Sequence, residues 1–598
     1  ISRFNILLGD KVINPGNIHI HPSGQPSICG NEITSSTPIA FPVNIEIQIK
    51  VDAPLHGEQV RVIVMTKEVG EVSFTLSEDT TKKKTRKLKP AIVGYFLPVK
   101  QATVQIKDDK VGSEASPFLL GQFVEHLERC VYDGIWTRDG KKLRLDTLDL
   151  IRQLHPPIIR YPGGNFASGY HWEDGIGPLE TRPARHDAAW QAEESNQVGT
   201  DEFLSFCEEI GTEPVLVVND GSGTPEEAAR WVEYCNSPVT SKQGARRAMN
   251  GHPEPYNVRY WGVGNEVWGP WQIGTTTADE YTRRASRFFD AMRAVGPEIK
   301  IVAVGNNPLT DDTDNPSFLW NKSVLEGIGD KIDYLSWHIY QPEKSGWRDA
   351  NDPEELYKSV CAAHLDMETI TRRVEAQILD SNPSHQIMQA IDEWNLWLPP
   401  REKNVSMHCV TYTMRDALYV ASVLSSFYKQ SHTVGMANLA QLVNVLPLIQ
   451  TNKDSAIATA IFYPFILFSQ MQPRVINPSF TCETFDSLEL DINVRAHQGV
   501  PYIDGVAGKS EDGSKLTLIL INRYPVNRVK IALNLKSKEN YTPKCSLSVS
   551  ASSPENFNTF SNPYKVRLSD ARKPTKKGNL YEVSLKPCSI YFVEFTNQ

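Results

Sequence analysis

Two glutamates stand where a pair of carboxylates could do chemistry. Glu266 closes the run Arg259-Tyr260-Trp261-Gly262-Val263-Gly264-Asn265-Glu266, and Glu393 lies near the end of Ile387-Met388-Gln389-Ala390-Ile391-Asp392-Glu393-Trp394-Asn395. Each apolar run breaks into polar residues, as a buried parallel strand does when it delivers side chains at its C-terminal end. In a (β/α)₈ barrel that end is the active face. Two carboxylates on one pocket are the equipment of glycosidic-bond cleavage. The competing reading is two ordinary strand-end carboxylates that never meet. The elements that would position them decide between the two.

Those elements follow a βα grammar. Eight candidate strands run Phe118–Glu125, Pro157–Tyr161, Pro214–Asn219, Val258–Val263, Ile299–Val304, Ile332–His338, Ile387–Asp392 and Gly435–Leu442. Helical runs separate them at Thr147–Leu154, Thr200–Ile210, Pro225–Cys235, Thr277–Val295, Asp352–Leu379 and Met414–Lys429. Thr-Asp-Glu-Phe and Thr-Pro-Glu-Glu give helix-start signals at the second and third. The alternation predicts an α/β fold, a (β/α)₈ TIM barrel over residues 111–470. Before it, residues 1–98 read as an accessory β-sandwich-like domain, with alternating runs at Asn44–Val51, Gln59–Val64 and Val72–Leu76. After it, residues 471–598 lose the helical period, and short strands such as Leu516–Asn522, Val529–Leu533 and Ile590–Glu594 predict a C-terminal β-sandwich, a jelly roll. Residues 99–110 hold one more alternating strand, Ala102–Ile106.

Composition removes several function classes. The chain has 598 residues, 40% hydrophobic and 22% charged, with a net charge of −9, which disfavours nucleic acid as a partner. No apolar run reaches a membrane span. The N-terminus carries no signal-type apolar core, so a cytoplasmic location is favoured over secretion, although a trimmed start leaves secretion open. Nine widely spaced cysteines with no C-x-x-C form neither a disulfide framework nor a zinc module and read as mostly buried thiols. Sequons at Asn321, Asn404 and Asn540 are no more than chance supplies. The basic run Lys82–Lys89 reads as a solvated loop, with a polyanion contact as the sharper alternative.

Read only at their C-terminal ends, the barrel strands carry Glu125-His126, Arg160 through Asn165, Asn219-Asp220, Asn265-Glu266, Asn306-Asn307, Trp337 through Tyr340, Asp392 through Asn395, and Gln441 through Asn444. Hydrogen-bonding groups for hydroxyls and aromatic faces for a ring make a sugar site. No H-E-x-x-H, Walker loop, G-x-G-x-x-G or G-x-S-x-G is present, so no metal, cofactor or serine triad is expected. His338 could be a ligand, but a hydrogen-bonded pocket histidine is the preferred reading. Trp268, beside Glu266, is equally a packing residue or the wall of a leaving-group subsite. For Trp271 packing is preferred.

These stretches resemble the α-L-arabinofuranosidases of glycoside hydrolase family 51. The resemblance rests on Gly121–Leu127, Arg160–Asp174, Gly262–Gly274, Asp392–Trp397 and Asn438–Leu446, in the family's order, and spans about residues 100 to 598. It implies a retaining mechanism with Glu266 as acid/base and Glu393 as nucleophile. It implies that Asn265 bonds the sugar's 2-hydroxyl, that Glu125, Arg160, Asn165, Tyr340 and Gln441 line the pocket, that Trp190 and Trp397 wall the entrance, and that His338 sits near the nucleophile. It also implies that the strand at Ala102–Ile106 joins the C-terminal sandwich. The activity implied is release of terminal arabinofuranosyl units from arabinan or arabinoxylan. An endo-acting glucanase or xylanase is the alternative, and a non-catalytic glycan-binding protein the remote one. Family members often assemble, so a homo-oligomer is an expectation of the resemblance alone. On physical grounds Arg160 would keep Glu393 ionised, and Glu266, partly desolvated near a second carboxylate, would hold its proton longer.

Overall fold

The computed structural model describes residues 99–343, 352–401 and 405–597, together with the backbone of seven strands between Ile6 and Ser77. The basic run at 82–89 and the sequon at Asn404 lie outside the described residues. Within the N-terminal part, Ile47–Asp52, Gln59–Thr66 and Gly70–Ser77 form a three-stranded antiparallel sheet, and two short strand pairs precede it.

Eight parallel strands close into a barrel: β1 Gly121–Phe123, β2 Ile158–Tyr161, β3 Glu213–Val218, β4 Tyr260–Val263, β5 Lys300–Val304, β6 Tyr334–Glu343, β7 Met388–Trp397 and β8 Val434–Leu439. Neighbours pair in chain order, and β8 returns to β1 through Asn438↔Gly121. The strands are buried on both faces, which is why they read as continuous apolar runs rather than alternating ones. Ile158, Val215, Tyr260, Val302, Ala390 and Met436 pack together inside the barrel. Side chains of opposite parity point outward under the helices: Trp261 is fully buried, with Trp231 edge-on at 5.7 Å. Removing such a side chain costs about 3–5 kcal/mol.

The helices are α1 Leu145–Leu154, α2 Thr200–Ile210, α3 Pro225–Asn236, α4 Lys242–Met249, α5 Ala278–Val295, α6 Pro316–Ile328, α7 Pro353–Ala362, α8 His364–Asp380, α9 Met414–Lys429 and α10 Phe462–Phe468. Their starts follow from local chemistry. The Thr224 hydroxyl accepts from the Glu227 amide with Pro225 at the first position of α3, and Thr277 caps α5 the same way. Gly211, at φ 69°, ends α2 in the left-handed region that glycine tolerates best.

The structure departs from the sequence reading at several elements. The first strand is shorter than Phe118–Glu125, because Ser116 caps a 3₁₀ turn over Pro117–Leu120. The run Asp352–Leu379 is two helices that break at Ala363. Strands β6 and β7 continue past their expected ends. Helices α4, α6 and α10 are additional. In α4 the buried residues are Gln243, Gly244 and Arg247, so it carries no apolar stripe to read. In α10 the run Phe-Tyr-Pro-Phe-Ile-Leu-Phe is apolar throughout and has no helical period.

The C-terminal part is two sheets face to face. One has six strands and the other five, and Lys100–Lys107 lies within the five-stranded sheet between Ser479–Thr481 and Val529–Lys536. Val104, Ile106, Leu518, Leu520, Ile531 and Val593 fill the space between them. A buried ion cluster ties this sandwich to the barrel helices. Arg523 donates to Asp504 at 2.9 Å and to Ser422 of α9 at 2.9 Å, and Lys429 of α9 reaches Asp504 at 2.7 Å. Among the described residues, no helix is long and apolar enough to cross a membrane. Five of the cysteines, at 130, 207, 235, 361 and 588, are buried. The sequon residue Asn321 is also buried, its amide donating to the Asn306 carbonyl, whereas Asn540 is exposed.

Candidate active site

Strand ends bring the two glutamates together. Glu266 follows β4 through Gly264 at φ 88° and Asn265, and is itself held at φ 43°. That left-handed backbone is uncommon for a non-glycine residue and turns the side chain back over the barrel mouth. Glu393 lies on β7, directly paired in register with His338 of β6. Carboxylate oxygens of Glu266 and Glu393 and a ring nitrogen of His338 all lie within 4.8 Å of one another.

Each oxygen of Glu393 has a donor. Arg160, at the level of Phe123 on β1, donates from Nη1 to Oε1 at 2.7 Å, and the Tyr340 hydroxyl donates to Oε2 at 2.9 Å. Arg160 also donates from Nη2 to Asn265 Oδ1 at 2.7 Å and lies 3.3 Å from Asp392. Its guanidinium rests over the Phe123 ring at 4.7 Å. Asn265 Nδ2 in turn donates to Asn165 at 3.3 Å. One arginine, fully buried, thus fixes the nucleophile candidate and the amide beside it.

A third carboxylate, Glu125, occupies the other side. It accepts from the Phe166 amide at 3.1 Å, from Trp190 Nε1 at 3.0 Å and from Gln441 Nε2 at 2.9 Å. Gln441 Oε1 is buried with no partner among the described residues, an acceptor available to a hydroxyl. Two glycines make this closeness possible. A Cβ at Gly163 would lie 2.7 Å from Glu125 Cγ, and one at Gly164 would lie 2.7 Å from Glu393 Oε1.

The electrostatics differ from the expectation for Glu266. Burial acts to raise its pKa, but the hydrogen bond and charge of His338, then Trp271 and Arg160, outweigh it and hold the carboxyl below its ordinary value. His338 is pushed up to about 10: burial opposes this, and the charges of Glu393 and Asp392 overcome it. The imidazolium spans two carboxylates, Glu266 at 2.9 Å from Nδ1 and Asp392 at 3.1 Å from Nε2. Its closest partner is therefore Glu266, and Glu393 lies 3.7 Å away. The carboxyl that is raised is Glu125, to about 7, by burial and then by the charge of Glu393. Glu266, His338 and Glu393 each present one possible ligand atom to the same point, and the neighbouring charges that favour a protonated His338 would have to be overcome for its ring to bind a cation.

Two family models match the chain: the α-L-arabinofuranosidase 1 domain over residues 150–355 and the α-L-arabinofuranosidase C-terminal domain over 392–589. An intracellular exo-α-(1→5)-L-arabinofuranosidase of Bacillus subtilis is 36% identical over 457 residues, 73% of this chain and 87% of that protein. A probable α-L-arabinofuranosidase C of Aspergillus clavatus is 36% identical over 418 residues, 67% of this chain and 81% of its own. The chain belongs to the α-L-arabinofuranosidases of glycoside hydrolase family 51. The crystal structure of the Thermotoga maritima α-L-arabinofuranosidase, an arabinose complex, superposes with a TM-score of 0.74 at 34% identity, covering 83% of this chain and 99% of that one.

Within this family 51 enzyme, not every polar strand end faces the pocket. Asn219 donates to the Tyr170 carbonyl, Asn307 to the His338 carbonyl, and Asn395 to the carbonyls of Ala440 and Leu446. Asp220 pairs with Arg284. These residues tie the strand ends to neighbouring loops, strands and helices, so not every polar strand end is available to a hydroxyl. Other residues at the site were not singled out. His408 stacks on Trp397 at 5.1 Å and meets Trp190 edge-on at 5.8 Å, and Glu128 holds its Nδ1 at 2.7 Å. It joins the two tryptophans, and no local sequence signal marks it. Trp271 is 57% exposed and donates from Nε1 to Glu266 Oε2 at 3.0 Å, which contradicts its reading as a packing residue. Trp268 is half-buried, its indole N–H anchored to the Gly305 carbonyl at 3.1 Å.

Proposed function

We propose that this enzyme releases single terminal α-L-arabinofuranosyl residues from arabinan, arabinoxylan or their oligosaccharides by double displacement. The observation that carries the reading is the separation of the two carboxylates, whose oxygens approach within 4.8 Å. Retaining pairs stand about 5–5.5 Å apart and inverting pairs about 6.5–9.5 Å. Glu393 attacks the anomeric carbon as the bond to the leaving oxygen breaks, and Glu266 gives that oxygen its proton. Glu266 then takes a proton from water, the water oxygen attacks the same carbon, and Glu393 departs as carboxylate. Arg160 and Tyr340 keep both oxygens of Glu393 oriented throughout. Asn265, anchored by Arg160, bonds the 2-hydroxyl, and Glu125, Asn165 and Gln441 take the remaining hydroxyls.

The exo reading is supported by enclosure. Glu125, Asn165, Asn265, Tyr340 and Gln441 come from different strand ends and are buried or half-buried around one centre. Trp190 and Trp397, joined through His408, flank it. The relative from Bacillus subtilis carries an exo-acting name. The experiment compares hydrolysis of an aryl α-L-arabinofuranoside and branched arabinan with linear β-glucan and xylan, measuring product lengths. Free arabinose as first product is expected. Rapid viscosity loss of β-glucan or xylan, with oligosaccharides first, would favour the endo-acting alternative.

A further inference from the structure

We propose that Trp271 is a positioning residue for the second half of the reaction: its indole N–H orients Glu266 to accept a proton, and its exposed ring seats the sugar that leaves. The inference rests on the reading of Glu266 as acid/base and deepens it.

The two oxygens of Glu266 are not equivalent. His338 Nδ1 donates to Oε1 at 2.9 Å, and Trp271 Nε1 donates to Oε2 at 3.0 Å. The imidazolium is fixed from behind by Asp392, so Oε1 is committed. Oε2 is then the oxygen that exchanges the proton, and the indole sits beside it. An indole N–H can only donate. It strengthens with a carboxylate and gains little from a carboxylic acid, so it favours the base form of Glu266 that water activation needs. The other groups around Glu266 are Tyr340 of β6, Arg160 of β2, and Asp392 and Glu393 of β7. Trp271 alone among its hydrogen-bond donors is exposed.

The ring is held, yet uncovered. Glu266, Gly269 and Gln272 form consecutive tight turns, with the Gly269 amide on the Glu266 carbonyl at 2.7 Å and the Gln272 amide on the Gly269 carbonyl at 3.1 Å. A Cβ at Gly269 would lie 2.6 Å from the Trp271 ring, so the turn and the ring are in direct contact. Trp268 meets the ring edge-on at 5.4 Å. Gln272 reaches across to Ser168 and secures the loop. Trp271 is the single exposed tryptophan among the described residues. An apolar face kept rigid and open beside the proton-exchanging oxygen suits stacking of a leaving-group sugar.

Two substitutions separate the functions of the N–H and the ring. Trp271→Phe keeps an aromatic face and removes the donor. The basic limb of kcat/KM on an unactivated arabino-oligosaccharide should move upward by about half a pH unit, because Glu266 loses a bond to its ionised form. On an aryl arabinofuranoside with a good leaving group, kcat and KM should fall together several-fold, leaving kcat/KM within about twofold, as slower deglycosylation requires. Trp271→Ala should lower kcat/KM on the oligosaccharide about tenfold further than Phe. A Phe variant whose pH profile and kinetic split match the parent's overturns the positioning role. An Ala variant equal to Phe on the oligosaccharide overturns the seat. Glu266→Ala is measured alongside. Equal losses on both substrates overturn the acid/base reading and this inference with it, whereas unequal losses with an unmoved Phe profile overturn this inference alone.

Discussion

Gly164→Ala tests whether the nucleophile's position, and not only its identity, sets the rate. A Cβ at this glycine would lie 2.7 Å from Glu393 Oε1, while Asn265 Nδ2 and Phe123 Cζ would stand at 3.4 and 3.5 Å. Ordinary contact begins at 3.4 Å, so the methyl and the carboxylate must separate by about 0.7 Å. Glu393 cannot retreat without loss, because Oε1 is held by Arg160 at 2.7 Å and Oε2 by Tyr340 at 2.9 Å. A misplacement of about 1 Å costs about 10²-fold in rate, so kcat/KM should fall about 50- to 100-fold, or about 2.5 kcal/mol in transition-state stabilisation. The assay is steady-state hydrolysis of an aryl α-L-arabinofuranoside, with Tm and far-UV circular dichroism recorded on the same sample to show an intact fold. Gly163→Ala is the companion, since its methyl would meet Glu125 and not Glu393. It should raise KM more than it lowers kcat. A folded Gly164→Ala enzyme within threefold of the parent would refute the reasoning, because Glu393 would then have room that the geometry denies it.

Glu393→Ala should abolish turnover while the fold persists, and azide should restore activity with a glycosyl azide of inverted configuration; near-normal activity without azide would remove Glu393 as nucleophile. Glu266→Ala should spare substrates with good leaving groups relative to polysaccharide, because they need little protonation; equal losses would count against the role. Glu125, raised to about 7 by burial and then by Glu393, binds more protons folded than unfolded, so its contribution to stability is fullest at pH below about 4.5 and is lost as pH rises towards 7. Glu125→Gln should remove that loss, so the difference in unfolding free energy between variant and parent should move in the variant's favour from pH 4.5 to 7, by up to about 3 kcal/mol, with Tm following it; a constant difference would show that Glu125 ionises normally. Residues 1–97 are proposed to supply no catalytic group, so a folded truncation lacking them should hydrolyse small substrates within a few-fold of the full chain, and a soluble, folded but inactive truncation would overturn this.

Much of the site could be read without coordinates, because strand patterning is local. A run such as Arg259–Val263 announces a buried parallel strand by its own composition, and the residues that follow it fall on the active face of any barrel built from such runs. The placement of Glu266, Glu393, Asn265 and Arg160 at strand ends was legible for this reason, whereas the part played by Gly163 and Gly164 was not. The start of α3, capped by Thr224, was equally local, and α2 begins at the expected Thr200, although its cap position is Gly199. Helices α4 and α10 were not, because one lacks an apolar stripe and the other lacks a polar face.

Tertiary structure decided what each polar group is bonded to. Asn219, Asn307 and Asn395 have the same chemistry as Asn265, yet their amides donate to backbone carbonyls. His408 lies between two tryptophans that are far from each other in sequence. The protonation pattern was out of reach for the same reason. Glu125 is raised and Glu266 lowered because the burial of Glu125 is reinforced by the charge of Glu393, while Glu266, half-buried, faces an imidazolium. A periodic pattern is written in neighbours along the chain, and the sequence displays it. A pKa or a hydrogen bond depends on distances of a few ångströms between residues tens to hundreds of positions apart, and only the closed barrel sets those.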